Sequence, residues 1–168
     1  MSVLVGANID EPYTADELAQ SGKGFALGDR ASTSDGKEYI YCQASGAITG
    51  AGYVVSMDEA WQTVMVDTDT AATVAEGQLV GVAEAAFDDD DYGWIQVYGP
   101  CGIRTEQDAA ANGKLAATAD AGQVDDAGAA GTNYIQGMVV HTATGGADAV
   151  NTTGFLNWPV LALVGTYA

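Results

Sequence analysis

The sequence predicts an all-β fold: a single domain, a β-barrel or β-sandwich built of hairpins, with an extended N-terminal arm. Three observations carry this expectation. From Phe25 onward, short β-branched and aromatic runs are punctuated by turn residues. Two pairs of these runs are joined by turns of the hairpin kind. At 168 residues the chain fits one compact domain, and a second would be cramped.

Residues 1–24 read as the arm and residues 25–168 as the domain. In the arm, Val3-Leu4-Val5 is followed by Gly6, Asn8 and Pro12, and Thr14 with Glu17 has the capping-box spacing that predicts a short helical turn. Ser21-Gly-Lys-Gly24 then reads as a hinge. The arm is either a frayed terminus or a segment ordered by a neighbouring subunit.

The first hairpin is expected from residues 25–30 and 37–43, which flank Thr33-Ser-Asp-Gly36. Alternation in its second strand puts Tyr39 and Tyr41 on one face and Ile40 and Cys42 on the other, so both faces are expected to be covered. Strands follow at 53–57 and 60–66, closed by a turn at 67–70. The clearest hairpin joins 78–87 to 92–98 through Asp88-Asp-Asp-Asp91, and Gly99-Pro100 is expected to end its return strand. Later strands are expected at 102–105, 114–118, 134–141 and 158–164, with loops at 119–133 and 142–154.

Charge narrows the function classes. Five basic residues (Lys23, Arg30, Lys37, Arg104, Lys114) face 23 acidic ones, a formal net charge of −18. Such a chain is repelled by polyphosphate and anionic headgroups, so no direct nucleic acid and no membrane partner is expected. Nothing near the start has the shape of a signal peptide, and no run approaches the roughly 20 apolar residues of a membrane span, so a soluble protein that is not exported through a leader is expected.

Chemistry finds few footholds. Nucleophilic catalysis of the Ser-His-Asp or Cys-His kind needs an imidazole, and the one histidine, His141, sits at the end of the apolar run Met138-Val-Val-His141, where a structural role is expected. No Walker-type loop is present, and no G-x-G-x-x-G follows a strand and opens a helix. Cys42 and Cys101 form no C-x-x-C and are expected to be reduced, buried small residues, with a disulfide between them as the alternative. Clustered acids at 88–91, at Asp67 with Asp69 and at Asp125 with Asp126 invite calcium. Yet an EF-hand loop starting at Asp88 would put Tyr92 at the fifth position and Gly99 at the twelfth, where ligands are needed. No cofactor, no metal and no enzymatic activity are expected.

The stretch Gly77-Gln-Leu-Val-Gly-Val-Ala-Glu-Ala-Ala-Phe-Asp-Asp-Asp-Asp-Tyr-Gly-Trp-Ile-Gln-Val-Tyr-Gly-Pro100 resembles the head decoration, or cement, proteins of tailed bacteriophages. Supporting matches are Asp35-Gly-Lys-Glu-Tyr-Ile-Tyr41, Ala119-Asp-Ala-Gly-Gln-Val-Asp125 and Ile135-Gln-Gly-Met-Val139. The likeness covers residues 25–164 and consists of hairpin and turn patterns. It implies a β-rich viral structural protein, often a homotrimer, located in the virion. There it would bind the major capsid protein on the outer face of the capsid and stabilise the head against internal DNA pressure. The family has no catalytic residues to carry over.

Attachment of that kind rests on buried contacts, where Trp, Tyr and Arg contribute most. The candidates for a capsid or subunit interface are Tyr13 in the arm and Arg30, Trp61, Tyr92, Trp94, Tyr98, Arg104 and Trp158 in the domain. More than half of the aromatics are expected in the domain's own core. Alternation along 92–98 puts Trp94 and Tyr98 on the face opposite Ile95 and Val97, which marks these two as surface residues. The alternative function is a phage or cell-surface receptor- or glycan-binding adhesive module. An enzyme of carboxylate type is a further rival, for which the sequence singles out no acid.

Overall fold

The computed structural model describes residues 8–21, 24–73, 77–126, 133–146 and 149–162. The Val3–Val5 run and the centre of the 21–24 hinge lie outside these residues. The described elements are α1 (Ala15–Ser21), β1 (Arg30–Ser32), β2 (Glu38–Ala44), β3 (Val54–Met57), β4 (Gln62–Met65), α2 (Thr68–Thr73), β5 (Leu79–Ala83), β6 (Tyr92–Thr105), β7 (Leu115–Ala117), β8 (Val124–Asp126), β9 (Tyr134–Val140) and β10 (Val150–Ala162). The fold is all-β, as the strand and turn pattern predicts.

Strand pairing closes on itself twice. β2, β4, β3, β5 and β6 pair in that order, and β6 returns to β2, closing a first ring. β6, β8, β7, β9 and β10 pair in order, and β10 returns to β6, closing a second. The shared strand is β6: its residues 92–98 pair with β2, and residues 98–105 pair with β10. Closure leaves these strands no free edges.

The two rings hold different cores. Ile40, Cys42, Ala44, Val55, Met57, Ala83, Ile95 and Val97 fill the first. Ile103, Leu115, Ala117, Val124, Ile135, Val140, Leu156 and Leu161 fill the second, joined by Val54, Val80 and Val82 from the other face of β3 and β5. A third cluster lies on the other face of β2 and β6, where Ala31, Tyr39, Tyr41 and Trp94 are buried beneath Ile9, Phe25 and Tyr92. Both faces of β2 are therefore covered, as its alternation predicts.

Residues 8–14 pack on the chain's own β6. Tyr13 donates its backbone N–H to the Tyr92 carbonyl at 2.7 Å and accepts the Tyr92 N–H at 2.8 Å. Behind it the expected capping box forms: the Glu17 N–H donates to Thr14 Oγ1 and the Thr14 N–H to Glu17 Oε2. The Thr14 backbone N–H, then its hydroxyl, hold the Glu17 carboxyl below its ordinary pKa.

Several sequence boundaries move. The first hairpin keeps its Asp35-Gly36 turn, with Gly36 at φ +83°, but β1 begins at Arg30, and Phe25 turns its ring onto Tyr41 and Trp94. The expected turn at 67–70 opens a short helix, α2, with Asp67 in the preceding position that favours a capping side chain. β5 ends at Ala83 rather than 87, and Phe87 pairs instead with Ile48.

Gly99-Pro100 does not end its strand, because β6 continues through it to Thr105. A register shift between Glu38 and Tyr39 marks a bulge there, Gly99 takes φ +99°, and the buried Gln96 amide donates to the carbonyls of Tyr98 and Pro100. A buried side chain thus binds two carbonyls where the bulge and the proline interrupt the ladder. The expected loop at 142–154 contains the first residues of β10, and the loop at 119–133 contains β8.

Candidate interaction site at the rim of the first ring

The second edge of β2 is shared by two elements. β1 pairs with residues 38–40, and β4 takes over at 43–44. At the handover, Gly28 donates its N–H to the Tyr41 carbonyl and Trp61 accepts the N–H of Gln43. The two residues therefore meet side by side. A Cβ on Gly28 would collide with Trp61 Nε1, so only glycine lets the indole lie against this backbone.

Trp61 itself has φ +61°, a conformation a bulky residue adopts only when its surroundings impose it. What imposes it is the preceding turn: Asp58 Oδ1 accepts the N–H of Ala60 at 2.9 Å and of Gln62 at 2.8 Å. The half-buried Trp61 packs against the first-ring core, and with Met57, Asp58, Glu59, Gln78 and Leu79 it lines an open depression of about 350 Å³.

Trp158 is presented by a similar device on another strand. A register shift between Leu156 and Val160 interrupts the β10–β9 pairing, and Trp158 in the middle has φ +49° although Pro159 follows it. Opposite, Gly137 at φ +82° clears the way, since a Cβ there would lie 2.6 Å from the Asn157 carbonyl oxygen. Trp158 also packs against the first-ring core. Over its ring sits the exposed Arg30, its guanidinium carbon 4.8 Å from the centroid. Arg30 thus reaches from β1 to β10, which share no strand pairing.

Of the sequence-predicted residues, the fold brings Arg30 and Trp158 into contact and packs Trp61 on the same core. Tyr13 and Tyr92 form a separate pair through the arm, with Tyr92 stacked on Tyr41 at 6.4 Å. Tyr98 is half-buried, edge-on to Phe155 at 5.4 Å. Arg104 is half-buried over the Tyr53 ring at 5.7 Å.

Trp94 contradicts the surface expectation, being only 1 % exposed. Alternation assigned its face correctly, but Phe25 at 4.9 Å and Tyr41 at 5.1 Å cover that face. Gly28, Asp58 and Gly137 position the site and were not singled out as site residues. The glycine inside the 134–141 run was the available signal, because such a glycine marks a bulge or a close backbone approach.

The remaining groups are occupied locally or withdrawn. Both cysteines are free thiols, Cys42 buried and Cys101 partly buried, and burial pushes each up to about 12. In the acidic turn, Asp91 accepts the Asp88 N–H and Asp90 accepts the Gln43 amide. Burial, together with the nearby Asp126 and Glu106, raises the Asp125 carboxyl. Among the described residues no three His, Cys, Asp or Glu side chains converge on a point that could hold a metal ion. His141 is exposed just beyond β9, and no described helix is long and apolar enough to cross a membrane.

No protein-family model, no curated protein and no solved structure matches the chain.

Proposed function

We propose that the chain is a capsid decoration protein that binds the outer surface of a phage head and stabilises it against internal DNA pressure. The observation that supports this most is the Arg30–Trp158 pair, an exposed arginine seated on a half-buried tryptophan that a bulge fixes in the left-handed region. Interfaces concentrate their energy in such aromatic and arginine anchors, and rigid backbone support lowers the entropy lost on docking. The net charge of −18 favours the outer face of a shell over the face that meets packaged DNA.

The partner is the major capsid protein, and the chain acts as a symmetric oligomer, with a trimer favoured. Repetition over a shell turns modest single contacts into stable attachment. The glycan-binding alternative has only the depression beside Trp61 in its favour, and there Asp58 Oδ1 already serves two backbone N–H groups.

Cosedimentation with shells assembled from the capsid protein of the same genome tests the proposal. The chain should saturate them at a fixed small number of copies per capsomer and raise their resistance to heat. A folded chain that stays in the supernatant at all concentrations would overturn it.

A further inference from the structure

Although carboxylates far outnumber cations in this chain, most of the described cations pair with none. The one ion pair among the described residues is Lys37–Glu84 at 3.3 Å. Arg30, Arg104 and Lys114 instead each lie over an aromatic ring, that of Trp158, Tyr53 or Tyr134. Arg30 is the exposed arginine of the set, and the carboxylate of the adjacent Asp29 accepts the Ala26 backbone N–H.

A guanidinium carries five N–H donors in a planar fork, and in the exposed Arg30 that fork is open to a ligand while its carbon lies over the Trp158 ring. Such a fork matches the two oxygens of a carboxylate. Both ends of the pair are fixed by backbone: Arg30 by its register opposite Ile40, Trp158 by the bulge that Gly137 accommodates. The charge of −18 turns extended polyanions away at long range, whereas one carboxylate carried on an apolar protein surface can approach.

We infer that the Arg30–Trp158 pair is a receptor for a single Asp or Glu side chain, flanked by apolar residues, on a protein partner. This depends on the shell-binding role proposed above for the partner's identity, but not for its chemistry.

Two measurements on the full chain test it. In the first, the Arg30 Nε–H and Trp158 indole N–H resonances are followed by NMR during titration with acetyl-Leu-Glu-Leu-amide or its Gln counterpart. Saturable shifts with the Glu peptide, at least tenfold weaker with the Gln peptide and abolished in Arg30→Gln, are expected. An Arg30→Lys variant should respond weakly, because a point charge lacks the fork. Equal response to both peptides, no response, or a stronger response to a heparin oligosaccharide would overturn the inference.

In the second, Arg30→Gln should bind shells at least tenfold more weakly than the native chain while keeping native indole dispersion. Native-like shell binding by this variant would overturn the inference and leave the decoration role intact. If the native chain also fails to bind shells, the decoration role falls, and the peptide titration alone decides the site.

Discussion

The two rings share a strand but are made of different material. The first takes its core from Tyr-, Trp- and Met-bearing strands, has the half-buried Trp61 and Trp158 packed against it, and is covered on its other face by an aromatic cluster. The second is filled with Val, Ile, Leu, Ala and Met, and no aromatic side chain belongs to its buried cluster. Large amphipathic rings supply both packing and contact surface, whereas small aliphatic chains supply packing alone. The half-buried tryptophans of the proposed contact pack on the first ring, and the second ring supplies the bulge that holds Trp158.

The largest expected effect comes from breaking the first ring where its strand is shared. Trp94→Ala removes a fully buried indole and should cost about 3–5 kcal/mol in denaturant unfolding. Because β6 runs through both rings, amides of Ile103, Leu115 and Val124 should lose protection together with those of Ile40 and Tyr41 in hydrogen exchange. Second-ring amides that keep native protection would show the rings to be independent units.

A smaller loss is expected where the second ring supports the first. Gly137→Ala forces a side chain into the left-handed region and against Asn157, which should cost about 1–3 kcal/mol and shift the Trp158 indole resonance. Gly145→Ala, with open space around it, is the control and should leave the unfolding midpoint in place.

The next effect depends on pH. Cys42 in the first-ring core stays protonated in the folded chain up to about 12, against an ordinary thiol value of 9.0, so the unfolded state loses its proton first as pH rises. The contribution of Cys42 to folding stability should therefore be constant below about pH 9 and fall between about pH 9 and 12. Cys42→Ala should make the alkaline fall in unfolding curves shallower, with Cys101 supplying part of what remains. The smallest effect is local: Thr14→Ala removes the capping box, so α1 amides should exchange faster while the global midpoint stays in place.

The same contrast governs what the sequence reveals. Alternation in Tyr39 to Cys42 and the Asp35-Gly36 turn made the first hairpin legible, because aromatic and β-branched residues announce a pleated, two-sided strand. The second ring hides in small residues. Val124-Asp-Asp126 is three residues long and pairs in parallel with β6, so no turn announces it. Val150-Asn-Thr-Thr-Gly154 resembles a loop until Gly154 is seen between Ile103 and Val139, where a Cβ would come within 2.5 Å of the Val139 carbonyl oxygen.

The site was half legible for the same reason. Residue type pointed to Arg30, Trp61 and Trp158, but their arrangement depends on two bulky residues at positive φ and on glycines far away in sequence, which no local pattern encodes. Trp94 shows the opposite failure, since alternation gives a side chain's face without telling what covers it.

The most direct measurement is cryo-electron microscopy of shells saturated with the chain. Ordered density is expected on the outer face, repeated with the symmetry of the capsomers, with Arg30 of β1 and Trp158 of β10 turned toward the capsid protein. Shells that carry no such density, or bound chains with that pair turned to solvent, would contradict the account.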